Sequence, residues 1–460
     1  MRCERRVRTT YCIVGGGISG LVAAYRIRVA VGDGADIVIF DPADRLGGVL
    51  RTEQVAGQAM DIGAEAFITR RPEVPALLRE LGLAERQIVP TGVRTTIYSQ
   101  GRLHPLPSDS VNGIPSHAEP MTGLVDQACL ARIAGESDRP LDWQPGSDPA
   151  VGPVVADRLG EQVVTRSVDP MLSGVYAGSA ATIGIRAAVP AVAAALDAGA
   201  PSLTAAVRRV LTGSTAGGPV FGAIEGGYRV LLDELAGRAR PRWVDSAVRR
   251  IAADGSGWAL TDDTAATWRA DAVVVAVPAP QAAALLEDVA PTAAAGAARI
   301  PVASAAVLAM ALPAGTPLPP QSGVLVASGE RLHSKAITLS TRKWGARGEA
   351  ELLRLSFGRF SDAERNPARS VSNAVLHEWA LEDLGTVFGI NADPIDVLVH
   401  RWIDALPQYG PGHAAIAADI RAGLPPGLAV AGNYLDGVGV PACLAAADAA
   451  AAAVVATTGR

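Results

Sequence analysis

A glycine-rich turn between an apolar run and a helical pattern constrains the fold of this 460-residue chain more than any other feature. The run Tyr11–Val14 is typical of a buried parallel strand, and the turn GGGISG follows it at residues 15–20. Glycines at its first, third and sixth positions permit a tight turn, close approach of a pyrophosphate and close packing of helix on strand. A second apolar run, Ile37–Phe40, ends in Asp41, where such folds place an acid that binds ribose. This order of elements predicts a dinucleotide-binding domain.

Two further segments favour FAD over a nicotinamide cofactor. The segment Arg45-Leu46-Gly47-Gly48 resembles the second phosphate contact of FAD enzymes in the amine-oxidase and glutathione-reductase superfamily. Near the C-terminus, Leu428–Gly432 is typical of a strand, and Val440-Pro441 begins an alanine-rich helix whose positive end can face the flavin pyrimidine. Each segment taken alone is also compatible with an ordinary turn or a plain strand–turn–helix. Together they predict FAD.

Charge and composition exclude several classes of protein. Lys and Arg number 41 and Asp and Glu 46, so binding of nucleic acid or of an anionic membrane through bulk charge is disfavoured. Hydrophobic residues make up 49% of the chain, mostly Ala and Val, and aromatic residues only 4%, so the positive mean hydropathy does not indicate a membrane span. The run Ala445–Ala456, interrupted by Asp448, is too short to span a bilayer.

Cysteine usage and the N-terminus predict a soluble, reduced, cytoplasmic protein. The basic N-terminus, with Arg2, Arg5 and Arg6, is not followed by the long apolar core of a signal peptide. The cysteines form no C-x-x-C pair and no disulfide framework, and the histidines do not cluster, so no metal site is expected. The four cysteines are Cys3, Cys12, Cys129 and Cys443.

The pattern along the chain predicts an α/β class protein, in the α+β multi-domain sense, with a Rossmann-like FAD-binding domain. A second sheet, with strands at Ser304–Leu312, Leu352–Phe357 and Asp396–Trp402, is expected to bind the substrate. Segments rich in Pro and Gly at Leu312–Gly323 and Gly410–Gly427 are predicted as loops. The predicted domains are FAD-binding at 1–72, 222–292 and 420–460, substrate-binding at 73–107 and 293–419, and helical at 108–221.

Motifs along nearly the whole chain resemble one family. They are Ile13–Gly20, Arg45–Gly48, Ser167–Pro170, Gly174–Gly178, Gly226–Tyr228, Val275–Pro278, Arg342–Gly345, Arg401–Tyr409 and Asp436–Pro441. The chain resembles the oxygen-dependent porphyrinogen oxidases of haem biosynthesis, within the FAD amine-oxidase superfamily, and is most similar to the actinobacterial coproporphyrinogen III oxidases.

The resemblance implies an activity and its partners. It implies FAD-dependent oxidation of coproporphyrinogen III to coproporphyrin III, six electrons leaving in three hydride transfers to flavin N5 while dioxygen becomes hydrogen peroxide. Peripheral membrane contact and transfer of the product to a ferrochelatase are compatible with this activity, and the sequence leaves both open. The chain shows no Ser-His-Asp, Cys-His or paired-carboxylate arrangement, so no catalytic residue is assigned. Asp169 is interpreted either as a general base or as an acid that caps a helix before Pro170.

The resemblance also implies residue roles. Asp41 stands where many relatives have Glu, and Ala64-Glu65 where eukaryotic relatives tend toward Pro-Arg. The implied FAD contacts are Gly15, Gly16, Gly17, Ile18, Ser19, Gly20, Asp41, Arg45, Gly47, Gly48, Val49, Gly63, Ala64, Glu65, Ala66, Val248, Trp402, Val438, Gly439 and Val440.

Candidate substrate contacts are cations that suit propionates and side chains that suit a macrocycle. For each cation a solvated position on the surface is the favoured alternative, and each apolar or aromatic residue is equally compatible with the core. The candidates are Arg70, Arg71, Arg342, Lys343, Leu172, Val175, Tyr176 and Tyr409.

Three other functions remain open at the level of sequence. The first is protoporphyrinogen IX oxidase, which performs the same chemistry on a dicarboxylate. The second is another flavin amine oxidase or a carotenoid desaturase, although two lysines, Lys335 and Lys343, and few aromatic residues make an amine oxidase's aromatic cage hard to build. The third is a non-catalytic binder resembling the Rab GDP-dissociation inhibitors, which the intact glycine turn disfavours.

Overall fold

A computed structural model describes residues 8–213, 218–391 and 393–459. The interpretation of the basic N-terminus and of Cys3 concerns residues outside these ranges. So do those parts of the predicted domains that include residues 1–7, 214–217, 392 and 460.

The described residues form strands and helices throughout. The strands are β1 (Thr9–Val14), β2 (Ala35–Phe40), β3 (Thr52–Val55), β4 (Gln58–Asp61), β5 (Phe67–Ile68), β6 (Gln87–Ile88), β7 (Thr96–Ser99), β8 (Arg102–Pro105), β9 (Ser110–Val111), β10 (Ile114–Pro115), β11 (Phe221–Ile224), β12 (Arg242–Val244), β13 (Val248–Asp254), β14 (Gly257–Asp262), β15 (Thr267–Ala270), β16 (Ala272–Val275), β17 (Val302–Leu312), β18 (Gly323–Val326), β19 (Ala336–Leu339), β20 (Glu351–Phe357), β21 (Asp396–Pro407) and β22 (Leu428–Val430). The helices are α1 (Ile18–Val31), α2 (Glu73–Glu80), α3 (Gln127–Ala134), α4 (Val151–Leu159), α5 (Glu161–Val163), α6 (Asp169–Tyr176), α7 (Ile185–Ala188), α8 (Pro190–Asp197), α9 (Leu203–Gly213), α10 (Arg229–Ala239), α11 (Ala279–Leu286), α12 (Pro291–Ala298), α13 (Ser340–Trp344), α14 (Pro367–Ser370), α15 (Asn373–Phe388), α16 (His413–Ala422) and α17 (Val440–Thr458). A π-helical turn at Val164–Val168 joins α5 to α6, and 3₁₀ turns lie at Gly32–Gly34, Ala84–Arg86, Glu119–Met121, Glu136–Asp138 and Phe360–Arg365.

A five-stranded parallel sheet forms the nucleotide-binding part of the molecule. Its strand order is β12-β2-β1-β16-β22, and every neighbouring pair is parallel. The central strands are apolar on both faces because helices, among them α1 and α17, cover them. The predicted strands at Tyr11–Val14 and Ile37–Phe40 are confirmed, as is the predicted α/β class. The proposed domain boundaries stay a prediction.

A seven-stranded sheet, with strand order β21-β17-β20-β19-β18-β7-β8, forms the second part. Alternate residues of β17 face opposite sides of this sheet. Leu308 and Met310 pack with residues of α15, whereas Val307 and Ala309 pack with Met60 and other residues of the β3–β4 hairpin. The second face therefore meets the chain that leads from β4 into residues 61–66.

The helices α3 to α9 form a third region with its own core, which includes Val155, Leu159 and Leu203. This region contacts the seven-stranded sheet through α6. A side chain placed at Gly174 would lie 3.4 Å from Leu325 of β18, so glycine there lets α6 approach the sheet closely. The predicted helical character of this stretch is confirmed.

One expectation about the C-terminal half is wrong. Residues 413–422 form α16 where a loop was expected, because the flanking glycines and prolines end the helix rather than prevent it. The last helix, α17, begins at Val440 as predicted and has 19 residues, of which the run Ala445–Ala456 is only a part. It is the one helix among the described residues that is long and apolar enough to cross a membrane, and 56% of its most apolar window is buried inside the protein.

Candidate functional site

Backbone hydrogen bonds fix the glycine turn against the end of β2. The Gly15 N–H donates to the Phe40 carbonyl at 2.8 Å, and the Gly16 N–H donates to Asp41 Oδ2 at 2.6 Å. The other Asp41 oxygen accepts the Ala43 N–H at 2.9 Å. Asp41 therefore holds the turn while its half-buried carboxylate lies at the carboxyl end of the parallel sheet, where such folds bind ligands.

The protein's own packing accounts for glycine at three positions of the turn and not at Gly17. A side-chain carbon at Gly15, Gly16 or Gly20 would lie 2.4, 2.4 or 1.9 Å from another protein atom. At Gly17 the nearest such atom, Cα of Gly48, is 3.9 Å away, and the backbone angles of −68° and 179° suit any residue. The open space at Gly17 therefore fits a ligand that must approach the backbone.

The N-terminus of α1 is electrostatically suited to an anion at this place. Gly17 is the N-cap, makes no side-chain capping bond, and is followed by no acidic residue in the first turn. The first N–H groups of a helix have no partner inside it and lie at the positive end of its dipole. Ile18 and Ser19 follow Gly17 and are buried, so the accessible groups are those of the backbone. The geometry fits the diphosphate of a dinucleotide.

Arg45 shapes a second loop beside the glycine turn. Its guanidinium donates to the carbonyls of Leu46, Gly48 and Leu50 at 2.8–2.9 Å, and its Nε is buried without a partner. Burial, and then the neighbouring Arg51, lower the pKa of Arg45. The Gly47 N–H donates to the Gly16 carbonyl at 2.7 Å, which joins the two loops. Arg45 thus stabilises the loop and does not project from it.

Residues 61–66 form a third loop, which packs against the seven-stranded sheet. A side chain at Gly63 would lie 1.8 Å from the Val49 carbonyl oxygen, and the Ala64 N–H donates to that oxygen at 3.3 Å. The Trp402 indole donates to the Ile62 carbonyl at 3.0 Å. Arg354 of β20 donates to the carbonyls of Asp61 and Gly63 at 2.9 and 3.1 Å. The loop is therefore fixed by contacts from β20 and β21.

Glu65 connects this loop to α13. Lys343 Nζ lies 2.5 Å from Glu65 Oε2, and the Trp344 indole donates to Oε1 at 2.9 Å. Burial alone would raise the pKa of Glu65, but the charges of Lys343 and Arg354 and the two hydrogen bonds outweigh it and lower the pKa to about 2. Glu65 is therefore a carboxylate whose position is set by α13. Ala66, next in the chain, is half-buried.

Asp61 is a buried acid that sequence reasoning did not assign to the site. Burial raises its pKa to about 7, although the Thr52 hydroxyl at 2.5 Å and the Tyr228 N–H at 3.1 Å favour the carboxylate. Arg354 was missed in the same way. A charged residue inside an otherwise apolar strand pattern, as in the run LLRLSF at residues 352–357, was the available signal for Arg354.

The FAD contacts implied near the C-terminus lie at the start of α17. Gly439 is its N-cap, Val440 is buried and Val438 is half-buried. The Ser19 hydroxyl donates to the Cys443 carbonyl at 3.4 Å, so the starts of α1 and α17 lie side by side. Val248 lies on β13, buried and paired with Asp262, in the small antiparallel sheet β13-β14-β15.

The predicted substrate cations are mostly engaged by the protein itself. Arg71 pairs with Glu73 at 2.5 Å, Lys343 pairs with Glu65, and Arg342 donates to the Leu318 carbonyl at 2.8 Å. Arg70 is exposed. Because the other three cations are bound by the protein's own groups, the structure does not gather the four into one free cluster.

The macrocycle-lining candidates divide between core and surface. Leu172 is buried in the core of the helical region, whereas Val175 is 55% exposed. The rings of Tyr176 and Tyr409 lie 6.0 Å apart, and Tyr409 stacks on His413 at 3.8 Å. The structure therefore brings Tyr176 of α6 and Tyr409 together.

Neither interpretation of Asp169 describes its contacts. It makes no side-chain capping bond at the start of α6. It accepts the Ala180 N–H at 2.6 Å, the Ser179 hydroxyl at 3.2 Å and the Ser328 hydroxyl at 2.6 Å. The helix-cap interpretation is therefore wrong, because the carboxylate anchors the turn after α6 and a loop of the sheet region. With both oxygens occupied in this way, Asp169 is also poorly disposed to act as a general base.

The parallel sheet, the glycine turn and the two adjoining loops are typical of flavin-dependent oxidoreductases. The family model described as flavin containing amine oxidoreductase matches residues 18–455. The coproporphyrinogen III oxidase of Mycobacterium tuberculosis is 62% identical over 446 residues, 97% of each chain. That of Mycobacterium leprae is 60% identical, over 98% of this chain and 99% of the relative. The chain belongs to the flavin containing amine oxidoreductases, as its motifs predicted. Within that family it is similar to these mycobacterial proteins.

Solved structures agree with this placement. The crystal structure of a protein from an Exiguobacterium species, provisionally named protoporphyrinogen oxidase, has a TM-score of 0.86 at 28% identity and covers 97% of this chain and 99% of its own. Cyclohexylamine oxidase from Brevibacterium oxydans has a TM-score of 0.70 at 19% identity, over 99% of this chain and 100% of its own. The second similarity concerns the fold alone.

Proposed function

We propose that this protein is an FAD-dependent coproporphyrinogen III oxidase. The observation that carries the proposal is 60–62% identity, over nearly the whole of both chains, to mycobacterial proteins named for that activity. The activity needs a flavin, and the space at Gly17 and the uncapped start of α1 suit a flavin's phosphates.

A dinucleotide form of the flavin suits the arrangement of the loops. Asp41 lies at the end of β2, next to the turn that suits the diphosphate, and is placed to accept hydrogen bonds from the adenosine ribose. The loop at 61–66, held by Arg354 and Trp402, would contact the ring system. A mononucleotide flavin would leave Asp41 without a ligand contact. These features support FAD.

When bound, FAD would supply a hydride acceptor that dioxygen can reoxidise. Overall, coproporphyrinogen III and three O₂ give coproporphyrin III and three H₂O₂, which balances six hydrogens and six electrons. The protein's residues position the macrocycle and limit access of water. Val175, which is 55% exposed, and the half-buried Tyr176 offer apolar and aromatic surface for this purpose, and the buried Tyr409 lies beside Tyr176. A pyrrole N–H acidifies as conjugation grows, so the proton can leave to solvent without a dedicated protein base.

Protoporphyrinogen IX oxidase is the second candidate, because the protein of that name from Bos taurus is 27% identical over 97% of this chain. The difference between 62% and 27% identity favours the coproporphyrinogen substrate. Two other functions are weaker. For an amine oxidase, the lysine that the sequence offered near the flavin is Lys343, and that lysine is paired with Glu65. A non-catalytic binder would not need the open space at Gly17.

We further propose a cytoplasmic location, peripheral contact with a membrane and transfer of the product to a ferrochelatase. Three apolar side chains on adjacent strand ends support the membrane contact, since Ile68, Val220 and Phe221 are each 41–47% exposed. Scattered exposed apolar residues are ordinary, but a contiguous group marks an interaction surface.

The test is an aerobic assay that compares the two porphyrinogens by the fluorescence of the porphyrin formed, with oxygen uptake measured in parallel. We expect purified yellow protein, a higher kcat/KM for coproporphyrinogen III, and three O₂ consumed for each porphyrin. A higher kcat/KM for protoporphyrinogen IX would favour the second candidate. A colourless protein that cannot be reconstituted with FAD would overturn the oxidase proposal.

A further inference from the structure

Lys335 is a largely buried cation without a partner in the part of the chain that the structure describes. The residue is only 6% exposed, no hydrogen bond or ion pair to its ammonium is present among the described residues, and its Nζ is not one of the fully enclosed side-chain atoms that lack a partner, so the ammonium borders open space. Burial, and then the charge of Arg359, lower its pKa to about 7, while Asp362 acts in the opposite direction. A buried charge without a partner is costly, and proteins normally pair such groups. The niche around Lys335 is therefore short of negative charge.

Arg359 adds a second cation to the same niche. Its guanidinium donates to the Val326 carbonyl at 3.1 Å, and its Nε is buried without a partner. The nearest acids are already engaged. Asp362 accepts the Arg359 backbone N–H at 2.6 Å, and Asp169 accepts three hydrogen bonds from Ser179, Ala180 and Ser328. Positive charge and at least one unused donor remain.

The niche lies between the loop at 61–66 and α6. The Lys335 N–H donates to the Ser356 carbonyl at 2.8 Å, and the next residue, Ala336, pairs with Ser356 of β20. Arg354, which holds the Gly63 carbonyl, is two residues away along β20, about 7 Å at the rise of a strand. On the other side, the Phe360 N–H donates to the Ala177 carbonyl at 2.7 Å, directly after α6.

We propose that Lys335 and Arg359 together bind a carboxylate of the substrate. This inference rests on the proposed function, since α6 carries the candidate macrocycle contacts Leu172, Val175 and Tyr176. A propionate supplies the negative charge that the niche lacks and accepts hydrogen bonds from both cations. The cations expected from the sequence are less suited to this role, because Glu65 and Glu73 already neutralise Lys343 and Arg71.

The test measures equilibrium binding of coproporphyrin III, the product, to the flavin-loaded enzyme by quenching of porphyrin fluorescence. The tetraamide of coproporphyrin III, which has the same ring without carboxylates, is titrated in parallel. We expect Lys335→Met and Arg359→Met to weaken binding of the tetraacid by tenfold to a hundredfold and to leave the tetraamide unchanged, as for a lost hydrogen bond to a charged group. Lys335→Arg should retain the preference for the tetraacid.

Arg331→Met is the matched control, because Arg331 is an exposed cation four residues away in the same loop. It should bind both ligands as the wild type does. The melting temperature without porphyrin adds a second readout, since removing an unpaired buried charge should not lower it in Lys335→Met.

Two results would overturn the inference while leaving the proposed function intact. One is wild-type affinity for the tetraacid in both Met variants. The other is an equal loss of tetraacid and tetraamide binding with a lower melting temperature, which would mark a structural role. Failure of the proposed function is recognised separately, as a wild-type enzyme that does not oxidise coproporphyrinogen III.

Discussion

The contrast between Gly17 and Gly20 gives a direct test of the proposed phosphate site. The same substitution, glycine to alanine, is made at two positions three residues apart in one turn. At Gly17 the new methyl group lies 3.9 Å from the nearest protein atom in an allowed backbone conformation. The cost to the fold is then that of exchanging one N-cap residue for another, about 0.5–1 kcal/mol. At Gly20 the methyl group lies 1.9 Å from the Gly15 carbonyl oxygen, so helix and strand must separate.

The two variants should differ in the property that they lose. In Gly17→Ala, displacing the diphosphate from even two backbone N–H groups costs roughly 3–6 kcal/mol, or about 10²–10⁴-fold in the dissociation constant of FAD. The apoprotein should keep nearly the wild-type melting temperature. In Gly20→Ala, overpacking costs about 1–3 kcal/mol or more of stability in the apoprotein itself. Gly17→Val, with a larger side chain, should also yield apoprotein.

The assay combines titration calorimetry of each apoprotein with FAD, the ratio of flavin to protein absorbance, and melting temperatures without cofactor. Wild-type affinity for FAD in Gly17→Ala would refute the assignment of this space to the phosphates. A melting temperature of the Gly17→Ala apoprotein as low as that of Gly20→Ala would show that Gly17 is needed for packing and would refute the same reasoning.

Three further predictions concern titratable groups. Glu65→Gln leaves Lys343 without its partner and should lower the free energy of unfolding by roughly 3 kcal/mol near pH 7, at the low end for a buried pair because Lys343 is 22% exposed. Thermal melts should show this loss of stability shrinking as pH falls from about 4.5 toward 2, where wild-type Glu65 also loses its charge. The double variant Glu65→Gln/Lys343→Met should recover stability. Because the pKa of Asp61 is raised to about 7, the folded protein binds the Asp61 proton more tightly than the unfolded chain does. The resulting stabilisation, roughly 4 kcal/mol in all, is present below about pH 4 and is lost as pH rises through about 7. Asp61→Asn should flatten this decline of stability in thermal melts at pH 4–8, and an unchanged slope would contradict the assignment. Single replacements of His104, His333 and His413 by Gln should leave the rate of anaerobic flavin reduction within about tenfold of the wild type. Loss of a true general base would lower that rate by about 10²–10⁴-fold. A thousandfold drop with flavin still bound would therefore contradict a reaction without a protein base.

Local patterns were sufficient for the nucleotide-binding strands and for the turn between them. The spacing of apolar runs, glycines and Asp41 reflects interactions within about thirty residues, and these were identified correctly. The same approach failed at α16, because glycine and proline near a short helix resemble those of a loop. It also failed at β18 and β19, since short strands in a mixed sheet carry little periodic signal of their own.

The candidate site shows where sequence patterns stop being informative. The motifs identified Glu65 and Lys343 separately, as a flavin contact and a substrate cation, but not that they neutralise each other across 278 positions of the chain. The charged residue in the apolar pattern around Arg354 marks that residue as unusual, but no local pattern indicates that strand β20 holds the loop at 61–66.

The sequence by itself determined the cofactor class, the Rossmann-like core and the family, because these depend on short motifs whose geometry is local. Only the tertiary structure decided which charges are free and which are paired. A surface cation and a binding cation have the same sequence signal, and their difference arises from burial and from partners distant in the chain. Lys335, unpaired in the interior, and Lys343, paired with Glu65, are the two lysines of this chain, and folding alone distinguishes them.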